Sequence, residues 1–163
     1  MELSTMGLVL APEDSIDLQV HTTYSDGIWT PEQLLDHLAG ERFALAAITD
    51  HDSVDSIPAI QQLAINKKMP ILLAVEMTAE WMGNMTDVLC FGFDPEKGAL
   101  RTLARDVVRR QEENTRSVYE NLIKQGYGFA LTKYPFKDLD EFRQYEREAR
   151  KKRKGLWGRQ SVQ

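Results

Sequence analysis

The sequence predicts an α/β fold with a parallel sheet, and three observations carry that expectation. Apolar runs alternate with helix-length segments in a β-α-β-α-β order between Ile16 and Met77. The runs "FALAAIT" and "MPILLAVEM" are almost unbroken by polar residues, as in strands covered on both faces. Histidines or acids close each of the first three runs, and parallel α/β folds gather their functional groups at strand ends.

The elements follow in order. Ile16 to His21 is a short strand that ends in "DLQVHTTYSDG". Thr30 then supplies a cap, Pro31 suits the first helical position, Gln33 completes a capping box, and Gly40 ends the helix. After "FALAAIT" and "DHDSVDS", Ser56 and Pro58 open a second helix through "PAIQQLAINKK". "MPILLAVEM" is the third strand, and the following segment reads as a hairpin turning at Gly83-Asn84. A long helix is expected from about Ala99 to Gln125 with Gly126 as its stop, its middle "RRQEENTR" facing solvent or a partner. "YGFAL" suits one more strand. The last helix, "DLDEFRQYEREARKKRK", carries Leu139, Phe142 and Ala149 on one side and ends at Gly155.

A chain of 163 residues fits one full domain, and its 42% hydrophobic and 28% charged residues suit a globular protein. No apolar run reaches the roughly 18 residues of a membrane span. The start lacks the basic leader of a secretory signal, and Cys90 is the single cysteine, so a reducing cytoplasm and no internal disulfide are expected. The net charge of −5 conceals a break. From Lys133 onward lie ten of the 20 Lys/Arg but only five of the 25 Asp/Glu, which suggests two pieces, 1–132 and 133–163.

The strand ends collect His21 and Asp26, then Asp50, His51 and Asp52, then Glu76, with Asp87 on the hairpin. Imidazole and carboxylate together suit Mn²⁺, Fe²⁺ or Zn²⁺. Each residue alone also has a structural reading: "TDHD" can cap a helix, and Glu76 can pair with a lysine. His37, mid-helix without acids around it, reads as structural, and Cys90 as a small hydrophobe. Recurrence at three consecutive strands favours a metal site.

From Ile16 to about Gln125 the chain resembles the N-terminal half of the polymerase and histidinol phosphatase (PHP) family. The resemblance is carried by "DLQVHTTYSDG", "TPEQLLDHLA", "LAAITDHDSV", "ILLAVEMTA" and "DVLCFGFDP". It implies part of a distorted, parallel-stranded (βα) barrel followed here by a C-terminal helix. It also implies two divalent ions and hydrolysis of phosphomonoesters or phosphodiesters of the nucleotide or oligonucleotide class. His21, Asp26, His51 and Glu76 match the family's metal ligands. Asp50 and Asp52 are expected as catalytic residues, either behind the metal ligands or on the substrate side, that orient His51 and the bound water. Gln19 and Asp87 stand where the family has histidines and are expected as weaker ligands. The family's later motifs are missing.

The segment "YPFKDLDEFRQYEREARKKRKGLWG" resembles the end of staphylococcal-nuclease-like proteins, without that family's active-site residues. The leading expectation is therefore a metal-dependent phosphoesterase acting on a phosphate-ester small molecule or an oligonucleotide. The alternatives are a catalytically inactive metal- or nucleotide-binding module, or nucleic-acid binding through the basic tail. An open strand edge also makes a homo-oligomer plausible, and no membrane partner is expected.

Overall fold

The computed structural model describes residues 3–129 and 138–158. They fall into two compact units, Met1–Val108 and Arg109–Gln163. The division lies inside a helix, upstream of the charge break at Lys133.

In the first unit, β1 (Ile16–Val20), β2 (Leu45–Ile48) and β3 (Ile71–Leu72) form a parallel sheet in that order. Among the described residues this sheet is open rather than a closed barrel. Its connections are α1 (Pro31–Gly40) and α2 (Ile57–Lys67). The capping box forms as expected: Gln33 N–H donates to Thr30 Oγ1 at 3.3 Å, and Thr30 N–H donates to Gln33 Oε1 at 3.0 Å. At α2 the Ser56 hydroxyl bonds the Ser53 carbonyl instead of capping the helix. Leu34, Leu35 and Leu38 of α1 pack with Ile48 of β2 and Ile60 of α2 to make the main core. Only β2 is buried along its whole length, whereas β1 is largely exposed.

"MPILLAVEM" is not one strand. It is interrupted at Leu73: β3 pairs with β2 in the parallel sheet, while β4 (Ala74–Trp81) pairs with β5 (Asn84–Phe91) as an antiparallel hairpin. Nothing in the run marks that interruption, because apolar and largely buried residues stand on both sides of Leu73. The turn also lies one residue earlier than the sequence suggests. Trp81 pairs with Asn84, and Met82 and Gly83 both take positive φ (51° and 78°), as a tight two-residue turn of this kind demands. A second small core forms where Val54, Ile57, Val75 and Met77 meet Ala104 of α3 (Ala99–Lys124).

The second unit contains the rest of α3, then α4 (Leu139–Lys151) and a 3₁₀ turn, Gly155–Trp157. Ile123 and Phe142 are its buried centre, flanked by Leu139 and Tyr145. Gly126 stops α3 with φ 80°, and a Cβ there would lie 2.2 Å from the Lys154 carbonyl oxygen. The chain leaving α4 therefore crosses directly over it, and Leu156 N–H donates to the Gly126 carbonyl at 2.8 Å. Of "YGFAL", residues 127–129 are not strand and the remainder lies outside the described residues.

Candidate metal centre

The site is built where β1, β2 and β4 begin or end side by side. His21 follows β1 directly, and its loop is closed by Gly27, whose N–H donates to the Thr22 carbonyl at 2.9 Å. A Cβ on Gly27 would fall 2.3 Å from the His21 carbonyl oxygen, so only glycine lets this loop close. The loop is held from below by Asp50. Its carboxylate accepts the Thr22 N–H and the Thr22 hydroxyl, each at 2.7 Å, and the Ser25 hydroxyl at 2.8 Å. Asp50 is 3% exposed, and Thr22 is wholly buried beside it.

His51 and Glu76 come together through a parallel bridge between the β2-end loop and β4. The Asp52 N–H donates to the Glu76 carbonyl at 2.9 Å, and the Asp52 carboxylate accepts the Thr78 N–H at 3.0 Å. Asp87 faces Thr78 across the hairpin while Glu76 faces Leu89, so Asp87 and Glu76 are diagonal neighbours on one face. The parallel register of β2 and β3 (Ala46 with Ile71, Ala47 with Leu72) runs on unchanged to the His51–Glu76 bridge, which sets Glu76 beside His51.

Five side chains thus converge. His21 Nδ1 is 3.0 Å from Asp26 Oδ1, and His21 Nε2 is 3.0 Å from Glu76 Oε2. His51 Nε2 is 3.9 Å from Glu76 Oε2 and 4.0 Å from Asp26 Oδ2, and His51 Nδ1 is 3.9 Å from Asp87 Oδ1. The two imidazole rings stand 4.9 Å apart. Two sets arise, His21–Asp26–His51 and His51–Glu76–Asp87, each with donor atoms within 4.8 Å of one another and with His51 in common. Nitrogen and carboxylate oxygen donors without thiolate fit Mn²⁺, Fe²⁺ or Zn²⁺. Glu76 is buried, whereas Asp26 and Asp87 open to solvent.

Asp26 titrates below the usual aspartate range. Desolvation acts against this, but the charge of His21, hydrogen bonds from its own backbone and Ser25, and the charge of His51 outweigh it. Gln19, on the exposed side of β1, directs its amide nitrogen at Glu76. The Asp50 and Asp52 carboxylates are engaged by the bonds above, and the Ser25 hydroxyl at Asp50 also lies 3.2 Å from Asp26 Oδ1. Thr22 and Ser25 were not singled out by sequence, although a Thr-Thr-x-Ser run beside an acid is a signal for such side-chain bonding. His37 stacks edge-on against Trp29 at 4.8 Å, apart from the centre. Within the basic cluster, Arg150 bonds Glu146 and lies over the Trp157 ring, and Lys152 pairs with Glu148. No helix among the described residues is long and apolar enough to cross a membrane.

Residues 74–159 match the family model of staphylococcal nuclease homologues. The chain belongs to this family. The nuclease-homologue match begins at the hairpin, well upstream of the 25 residues in which the sequence resemblance was found. It takes in Glu76 and Asp87 and most of the second unit, to residue 159.

The nuclease-homologue match is one of two relationships. The chain is 30% identical over 112 residues to a 3′,5′-nucleoside bisphosphate phosphatase of Chromobacterium violaceum, covering 69% of this chain and 39% of that protein. It is 32% identical over 114 residues to the 5′-3′ exoribonuclease Rnm of Salmonella typhimurium, covering 66% and 38%. A solved structure from Bifidobacterium adolescentis, described as a metal-dependent phosphoesterase, shares the fold with a TM-score of 0.63 at 24% identity, over 75% of this chain and 42% of that one. The chain spans about two fifths of the length of these relatives. It is thus also a relative of phosphoesterases.

Proposed function

We propose that the first unit is a PHP-type, metal-dependent phosphoesterase built on part of the family's distorted barrel, acting on phosphate esters of nucleotides or oligonucleotides. One observation carries the reading: two overlapping sets of imidazole and carboxylate donors on adjoining strand ends, sharing His51. The similarity to a nucleoside bisphosphate phosphatase and an exoribonuclease supports the substrate class.

His21, Asp26 and His51 would hold one divalent ion, and His51, Glu76 and Asp87 a second. Bound there, such ions supply positive charge to phosphoryl oxygens and a more acidic water at neutral pH. The chain's own residues prepare the place. Asp50 fixes the His21–Ser25 loop through three hydrogen bonds. Asp52 ties the loop carrying His51 to β4 through Thr78, so Asp50 and Asp52 act by positioning. The buried Glu76 faces imidazole and amide donors, which set its two oxygens before any ligand arrives.

The test is metal analysis of the purified protein, together with hydrolysis of bis(p-nitrophenyl) phosphate and adenosine 3′,5′-bisphosphate with and without added Mn²⁺. The expected result is bound metal and Mn²⁺-dependent turnover that disappears in His51→Ala. Turnover no greater than that of His51→Ala overturns the reading.

A further inference from the structure

We propose that Gln19 is a positioning residue, which holds the Glu76 carboxylate by donating from its amide and does not ligate metal. The proposal rests on the metal-dependent reading above. Gln19 lies where the register of β1 shifts between Asp17 and Val20, and its amide and the His21 ring both reach the Glu76 carboxylate. Its Nε2 lies 3.3 Å from Glu76 Oε2 and 3.5 Å from Glu76 Oε1. Chemistry sets this orientation of the amide. The amide oxygen carries only lone pairs and would set acceptor against acceptor, whereas the NH₂ group offers two protons to two carboxylate oxygens.

The recipient needs such a donor. Glu76 is 6% exposed, and a buried carboxylate is costly unless it is met by donors or charge. His21 Nε2 approaches Oε2 at 3.0 Å, and Gln19 Nε2 faces both Oε2 and Oε1. The only atom with which glutamine can bind a metal is its amide oxygen, which sits on the other arm of the same carbon. Donation to Glu76 and ligation at the same centre therefore call for opposite orientations of one amide. The centre is then built from five ligands, and Gln19 contributes to it through Glu76.

Gln19→Met keeps the side-chain length and removes both donor and acceptor. In metal-free protein, thermal unfolding is compared for wild type, Gln19→Met, Glu76→Ala and the double variant. Gln19→Met is expected to lower Tm in the wild-type background and to have no effect once Glu76 is alanine. Equal shifts in both backgrounds, or no shift in either, overturn the proposal, since a ligand alone leaves the metal-free protein unmoved. The second arm is calorimetric titration with Mn²⁺. Gln19→Met is expected to bind the same number of ions with affinity lowered about tenfold, as for other outer partners of metal ligands. Loss of one ion per chain overturns the proposal. If wild type takes up no Mn²⁺, the metalloenzyme reading fails by itself, and the metal-free comparison alone decides the Gln19–Glu76 contact.

Discussion

In the first unit the carboxylates of Asp26, Glu76 and Asp87 face imidazoles, whereas in the second those of Glu120, Asp138 and Glu141 face the single guanidinium of Arg116. The residue types are alike, but the scaffolds differ. Strand ends and their loops aim side chains from distant parts of the chain into one space. On a helix, an acid's ready partner is the base three or four residues away, as with Arg116–Glu120 and Lys124–Glu120. Guanidinium and ammonium are permanent cations, so they satisfy an acid and lower its titration, as at Glu120 with Lys124 and then Arg116. Imidazole is not a permanent cation, and in its neutral form it offers a metal a lone pair beside the carboxylate. Asp26, Glu76 and Asp87 thus face imidazoles rather than permanent cations, while Glu120, Asp138 and Glu141 hold helices together.

The contrast is broken most severely by His51→Ala, which removes the residue common to both donor sets. Metal retention should fall by more than the roughly 100-fold that loss of an outer partner costs, as read by metal analysis after dialysis. Leu35→Ala tests the scaffold without touching the centre. Leu35 is wholly buried in the main core, and its truncation should cost about 2–5 kcal/mol in denaturant unfolding. Asp50→Asn should leave the ligands in place but loosen the His21 loop, weakening Mn²⁺ affinity about 10- to 100-fold with the fold retained by circular dichroism.

Arg116→Ala sharpens the other side. It should lower the Tm of the second unit less than Leu35→Ala lowers that of the first. The loss should shrink in high salt, and Mn²⁺ affinity should not change. The smallest effect belongs to Asp55, an acid of the first unit treated as the second treats its own. Arg105 above all, then Arg101, holds its carboxyl below the usual range against partial desolvation. Because the folded value is depressed, the stabilisation is full above the ordinary aspartate range and is lost as pH falls through the folded value. Asp55→Asn should therefore cost about 0.5 kcal/mol at neutral pH, after allowance for solvent screening, and the difference should vanish in acid unfolding.

Much of this was legible in the residues. Thr30, Pro31 and Gln33 mark the start of α1 because a capping box involves only neighbours in sequence. His21, Asp26, His51, Glu76 and Asp87 stand out because they recur at the ends of apolar runs. The break at Leu73 was not legible, since both halves of "MPILLAVEM" are apolar and only pairing tells them apart. Nor was the boundary between units. The charge shift at Lys133 lies downstream of the division at Val108, which depends on which residues the two halves of α3 pack against.

By itself the sequence determined the alternation of strands and helices from β1 to α3, the cap of α1, and a set of candidate metal donors. These depend on local stereochemistry and on periodicity. Tertiary structure alone decided that Glu76 lies beside His51, that Asp87 shares its face, and that Asp50 bonds Thr22 and Ser25 while the Gln19 amide faces Glu76. Those outcomes depend on pairing and burial between residues far apart in the chain, where a carboxylate's role is set by the donors the fold brings to it.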